Sequence, residues 1–195
     1  MDSTRLAMMT CAKAQYGCAP GVIRTRVGYT GGTTKNPTYK NLGDHTETIQ
    51  LDFDPTETDY RTLLDMFWDF HDPTACQKRQ YMSAIFYHDN EQKAIAEESL
   101  KQHQDKIMRP IATKIVPAGV FYDAEDYHQK YLLRRHIELC ESLKKAGMQD
   151  FKESHVASRL NGYCSGSGTL AAFEAEREQL GLSEAQAVFV RQFIE

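Results

Sequence analysis

No stretch of this chain approaches the ~20 consecutive apolar residues of a membrane-spanning helix. Sustained basic runs are also missing. Lys and Arg number 23 against 27 Asp and Glu, a net charge of -4 that gives nucleic acid no electrostatic footprint. The cysteines are five, an odd number, and none form a Cys-x-x-Cys pair. That spacing argues against a disulfide framework and against a zinc ribbon. Taken singly, a cysteine is more often a small buried hydrophobe than a nucleophile. Residues 1–5 show no basic region followed by an apolar core. These absences lead us to expect a soluble, cytoplasmic protein. The 195 residues suit one domain with an appended tail, long enough to bury a real core.

The most informative stretch is Val27-Gly28-Tyr29-Thr30-Gly31-Gly32, continuing through Asn36-Pro37-Thr38-Tyr39 to Gly43-Asp44-His45-Thr46-Glu47. Residues 23–29 alternate apolar and polar, the signature of a half-buried strand. A second alternating run follows at 48–53. Between them, Gly31-Gly32 permits a tight turn or a close ligand approach, and the loop presents tyrosine, histidine and glutamate. On its own the stretch fits a polar hairpin connection as well as a functional loop.

Further along, Asp54-Pro55 breaks the second strand. Thr58 or Asp59 can then cap a helix with Tyr60, Leu63, Leu64, Phe67 and Trp68 on its apolar face. A third strand is expected at 81–87, a charged helix at 91–108 and a fourth strand at 111–116. Residues 123–131 run acidic first and basic later, as a helix dipole prefers. An amphipathic helix is expected over 132–149, and residues 160–168 read as a second glycine-rich, flexible element. Two polar helices broken near Gly181 close the chain, with Ser183 and Gln186 placed for a capping box. This order predicts an α+β two-layer sandwich.

Four segments together resemble the peptide methionine sulfoxide reductases of the A type. They are Gly28-Tyr29-Thr30-Gly31-Gly32 with Asn36-Pro37-Thr38-Tyr39; Phe67-Trp68 with His71-Asp72-Pro73, Gln80-Tyr81 and Ser83-Ala84-Ile85; Phe121-Tyr122 with Ala124-Glu125-Asp126-Tyr127-His128-Gln129; and Asn161-Gly162-Tyr163-Cys164. The resemblance covers roughly residues 17–168. It implies a reductase-like domain over 1–168, with a mixed, mostly antiparallel sheet and a ferredoxin-like core, and a helical extension over 169–195. It also implies reduction of methionine-S-sulfoxide in peptides and proteins, a protein-repair activity under oxidative stress. Glu47 would be the acid, Tyr39 and Tyr81 the donors to the sulfoxide oxygen, and Cys164 the recycling thiol. Gly31, Gly32 and His45 would lie against substrate. No bound cofactor or metal is implied. Thioredoxin would be the electron donor, and the protein would be a monomer.

The family's nucleophile sits in Gly-Cys-Phe-Trp-Gly, where a helix N-terminus lowers the thiol pKa. This chain has no such motif. Anchored on Ala14-Gln15-Tyr16-Gly17 and Pro20-Gly21-Val22, the cysteine slot falls on Met8, and the strand before it is missing or replaced by residues 1–7. Cys11, one helical turn beyond Met8, is a candidate displaced nucleophile; Cys18 reads as structural. The loop 74–79 is short, lacks the family's Asn-Asp-His-Gly run and carries Cys76. The alternative function is a catalytically impaired module that binds methionine sulfoxide or a protein partner. A metal site from His45, Glu47, His71, Asp72 and His128 matches no standard ligand spacing.

Overall fold

In the computed structural model of the protein, the described residues are 2–7 and 14–194. Six strands form one sheet in the order β5-β4-β1-β3-β2-β6. They are β1 (Asp2–Ala7), β2 (Val22–Thr30), β3 (Thr46–Phe53), β4 (Ala84–Tyr87), β5 (Lys114–Pro117) and β6 (Tyr122–Asp123). Among the described residues only the β4–β5 pair is parallel; the other ladders are antiparallel. The N-terminal strand that the sequence reading left in doubt is therefore central. Leu6 pairs with Ile49 on one side and Ile85 on the other, and its side chain is fully buried.

Two helices cover one face of the sheet. In α1 (Tyr60–Asp69) the Asp59 carboxylate accepts from the Thr62 N–H at 2.7 Å, which satisfies one orphan donor of the first turn. Its Leu63, Leu64 and Phe67 are completely buried against Leu6, Ile49, Leu51 and Ile85. Trp68 packs beside them and donates to the Ser99 hydroxyl of α2 (Asn90–Gln104) at 2.7 Å. The tryptophan is a core residue with its one polar atom satisfied.

A second core lies beyond the edge of the sheet. It is built from α3 (Tyr131–Arg134), α4 (Ile137–Lys145), α5 (His155–Tyr163), α6 (Leu170–Glu176) and α7 (Glu184–Arg191). Leu133, Leu139, Leu143, Leu160, Tyr163, Phe173 and Val190 meet there. The C-terminal helices thus share their interior with residues that precede 168. The expected capping box closes α7, with Ser183 and Gln186 bonded reciprocally.

Several expected spans move. Residues 79–81 form a 3-10 turn, so the third strand begins only at Ala84. Residues 122–128 are a two-residue strand followed by a 3-10 turn instead of a helix. Residues 160–163 are the last turn of the buried helix α5, where a flexible loop was expected.

α5 crosses the 3-10 turn Gln15–Cys18 at backbone contact. A Cβ on Gly17 would stand 2.1 Å from the Ser158 carbonyl oxygen, and one on Gly162 would stand 2.4 Å from the Cys18 nitrogen. Both neighbours are backbone, so neither can swing aside. Gly17→Ala or Gly162→Ala is expected to lower stability by about 1–3 kcal/mol, as overpacking does. Urea unfolding midpoints check this, and an unchanged midpoint in both variants would contradict the crossing.

Candidate active site

β2 and β3 set the site through their register, which places Tyr29 opposite Glu47. Between the two strands the loop is held by its own acid. The Asp44 carboxylate accepts from the Thr33 N–H at 2.8 Å, the Thr34 N–H at 3.0 Å and both threonine hydroxyls. Those bonds, the backbone ones first, hold the Asp44 carboxyl well below the usual range. His45 is 1% exposed. Its Nδ1 accepts from the Gly32 N–H at 3.2 Å, which leaves Nε2 to carry the proton and donate to the Thr34 carbonyl at 2.7 Å.

Arg79, on the 3-10 turn, closes the loop from outside. Its Nε donates to the Asp44 carbonyl at 2.5 Å and its Nη2 to the Gly31 carbonyl at 2.9 Å. Gln80 then donates to Glu47 Oε1 at 2.8 Å. This stapling delivers Tyr81 to Tyr39. Hydrogen bonding to Tyr39, then desolvation, then the nearby Glu47 carboxylate hold the Tyr81 phenol above its ordinary pKa.

The third wall comes from residues 124–131. The Glu125 carboxylate accepts from the Tyr29 hydroxyl at 2.8 Å and from the Tyr39 N–H at 2.9 Å. Partial desolvation pushes the Glu125 pKa up, but the Tyr39 N–H and the other hydrogen bonds outweigh it and hold the group below its usual value. Burial first, and then Glu125, push the Tyr29 phenol far up. Tyr39 also packs on the His128 ring, with centroids 4.8 Å apart.

The result is a cleft of about 280 Å³ with Val27, Tyr29 and Ala124 as its apolar floor. Tyr39, Glu47 and Tyr81 converge on it, and His128 and Tyr131 complete the lining. It suits a small apolar group attached to a strongly hydrogen-bonding oxygen.

Of the residues the sequence singled out, Tyr39, Glu47 and Tyr81 are brought together. Gly31, Gly32 and His45, expected against substrate, are not among the residues that line this cleft. Gly31 adopts φ +83 and its α-carbon faces Phe86, while Gly32 and His45 are bonded to each other as the loop's frame. Cys164, the C-cap of α5, also lies outside the lining. Burial, then Cys140, push its thiol pKa up to about 12. Cys18 is buried with its pKa pushed up to about 11 by desolvation, and Cys76 is exposed. Met8 and Cys11 lie outside the described residues. Among the described residues no group of three or more His, Cys, Asp or Glu could hold a metal ion. His71 is instead engaged by the Phe67 carbonyl and the Ser83 hydroxyl.

The supporting residues Arg79, Gln80 and Glu125, and Tyr131 in the lining, received no role from the sequence. Glu125 stands inside the motif Ala124-Glu125-Asp126-Tyr127-His128-Gln129, but its partners are 86 and 96 residues away.

An acid and two phenols over a small apolar floor, at one end of an α+β sheet, define a site for a small polar oxygen. Comparison with known proteins then names the family. The peptide methionine sulfoxide reductase family matches residues 9–160, and the helical domain of selenoprotein methionine sulfoxide reductase A matches residues 147–195. The chain belongs to the peptide methionine sulfoxide reductase family. It is similar to a peptide methionine sulfoxide reductase of Drosophila melanogaster, with 43% identity over 94% of this chain and 76% of that protein. Peptide methionine sulfoxide reductase A5 of Arabidopsis thaliana shares 39% identity over 78% of this chain and 63% of its own length. Among solved structures, methionine sulfoxide reductase A of Corynebacterium diphtheriae superposes with a TM-score of 0.65 at 31% identity, covering 69% of this chain and 75% of that one. Mxr1 of Saccharomyces cerevisiae in complex with Trx2 gives 0.51 at 27% identity, covering 65% and 83%.

Glu125→Ala removes the partner of the buried Tyr29 hydroxyl and of the Tyr39 N–H. It is expected to cost about 1–3 kcal/mol and to speed amide exchange around Tyr39. Chemical denaturation and hydrogen exchange measure the two effects; a variant matching the wild type in both would contradict the role given to Glu125.

Proposed function

We propose that the protein is a peptide-methionine (S)-S-oxide reductase that acts on oxidised methionine in proteins, with a thioredoxin as reductant. The observation that carries this reading is the convergence of Glu47, Tyr39 and Tyr81 on one small apolar-floored cleft. A thiolate attacks the sulfoxide sulfur while the oxygen takes a proton from Glu47 and hydrogen bonds from Tyr39 and Tyr81. The products of this half are the thioether and a sulfenic acid, which condenses with a second thiol to give a disulfide and water. Cys164 is the second thiol in this scheme, and two electrons from the thioredoxin dithiol restore both thiols. The Mxr1–Trx2 complex supports that choice of reductant. The methyl group and the methionine stem would rest on Val27 and Ala124.

The attacking thiol is the open part of this scheme. The cysteine slot of the family motif falls on Met8, and Cys11 is the nearby candidate replacement. That substitution favours one second reading, a cleft that binds methionine sulfoxide without reducing it.

Turnover of dabsylated methionine sulfoxide with dithiothreitol separates the two readings. Reduction that is abolished in Cys11→Ser assigns the attack to a displaced thiol. Tight binding of a sulfoxide peptide without turnover, lost in Glu47→Gln, assigns the binding module. Met8→Cys, which returns a thiol to the position that aligns with the family's cysteine, is expected to raise turnover at least about tenfold. In a catalytic form, Glu47→Gln is expected to lower it by about 10²-fold or more. Absence of both binding and turnover, with no gain in Met8→Cys, would overturn the proposal.

A further inference from the structure

Lys130 is 4% exposed, yet it carries no carboxylate partner among the described residues. Its backbone sits at φ +53, a region a non-glycine residue enters at a cost, and its side chain is buried. The Nζ atom donates to the Thr25 carbonyl of β2 at 2.5 Å and to the Lys152 carbonyl at 2.9 Å. A neutral amine has two N–H bonds, and these two acceptors use both. A protonated amine has a third, to be buried at a cost.

Its position gives that pair of bonds a consequence. On one side, Lys130 lies between His128 and Tyr131, both of which line the cleft. On the other, Lys152 stands three residues before the first residue of α5, the helix capped by Cys164. The adjoining Gln129 fixes the same seam from the amide side. It accepts from the Val27 N–H at 3.1 Å and donates to the Val27 carbonyl at 2.8 Å.

We propose that Lys130 is a positioning residue that couples the sulfoxide cleft to α5, that it does so as a neutral amine, and that its protonation loosens this seam. The cleft's chemistry enters only in what is positioned; the seam is independent of it.

The charged groups around the seam leave the amine without a counter-ion. On β2, Arg24 pairs with Asp52 of β3 at 2.6 Å and with Glu153 at 2.6 Å. Arg26 and Lys152 share Asp123 of β6, at 3.7 and 2.9 Å. Arg134 of α3 and Asp150 complete the set, and His155 at the start of α5 bonds the Ile23 carbonyl. Desolvation dominates, Glu153 and Asp150 oppose it only in part, and the Lys130 pKa falls to about 7. In the unfolded or opened chain it returns toward the ordinary lysine value near 10.5. The opened form therefore binds more protons across the window from about 7 to about 10.5, and the closed seam gains stability as pH rises through it. Below about pH 7 both forms are protonated and the gain is absent.

The test is hydrogen exchange on the intact chain at about pH 6 and about pH 8.5, corrected for intrinsic rates, over residues 126–134 and 149–158. Wild-type protection is expected to fall about tenfold at the lower pH, within a linkage limit of roughly thirtyfold. Lys130→Met should lose this pH dependence. Lys130→Arg, charged at both values, should show the low-pH protection throughout, which a merely space-filling role would not produce. Should Lys130→Met fail to fold, the wild type and Lys130→Arg still decide the matter. Equal wild-type protection at the two pH values, or a Lys130→Arg variant that follows the wild type, would overturn the proposal. The affinity of a methionine-sulfoxide peptide, measured on the same samples, should weaken with the seam. If no sample binds peptide, the functional reading falls while the exchange data still settle the role of Lys130.

Discussion

The outer edge of β2 is the constraint on which the rest of the molecule depends. A strand edge must find partners for its peptide groups, and β6 supplies them only at Gly28 and Tyr29. Below that point the partners are side chains, apart from the Ala124 N–H, which donates to the Val27 carbonyl at 3.0 Å. The Ser158 hydroxyl accepts from the Thr25 N–H, Lys130 donates to the Thr25 carbonyl, and the Gln129 amide serves both polar groups of Val27. Residues 124–131 and α5 are therefore bonded to the sheet edge itself. The cleft forms where they meet it, so the catalytic wall and the helical unit share one foundation.

This arrangement explains why the site combines parts from distant sequence. Glu47 arrives by strand register, Tyr81 by a 3-10 turn stapled through Arg79, and Tyr39 by a loop framed by Asp44 and His45. Glu125 joins two of these pieces with one carboxylate. Asp44, His45, Arg79, Gln80 and Glu125, which hold these side chains in place, do not themselves line the cleft. A loop residue such as His45 can thus be indispensable to the site's shape without meeting a ligand.

Much of the scaffold was legible in the sequence because it follows local rules. The alternation of β2 and β3, the Asp59 cap and the Ser183 box depend on neighbours a few residues away. Tyr39, Glu47 and Tyr81 were legible through ordered motifs. What failed depends on partners far along the chain. Residues 123–131 carry a helix-like order of charge, yet the Ala124 N–H is taken by the Val27 carbonyl and the Ala124 carbonyl by the Gln129 amide. Residues 160–163 read as flexible because of Gly162, whose missing side chain instead serves close packing against Cys18. The buried amine of Lys130 gives no local sign of its two carbonyl partners, 105 and 22 residues away.

The contact between Gly162 and Cys18 has a further bearing on Cys164. A few residues later Gly168, at φ +80, packs against the Tyr163 ring and the Cys18 sulfur. The chain is moored at both points, and Cys164 rides on the short leash between them. Six steps of chain, about 20 Å when fully drawn out, join the moorings. Cys164 lies only two steps from Gly162, so its backbone can stand at most about 7 Å from that mooring before it must yield. A thiol so tethered can travel only by unwinding the end of α5, so its range is a matter of leash length, while the helix behind it stays in place.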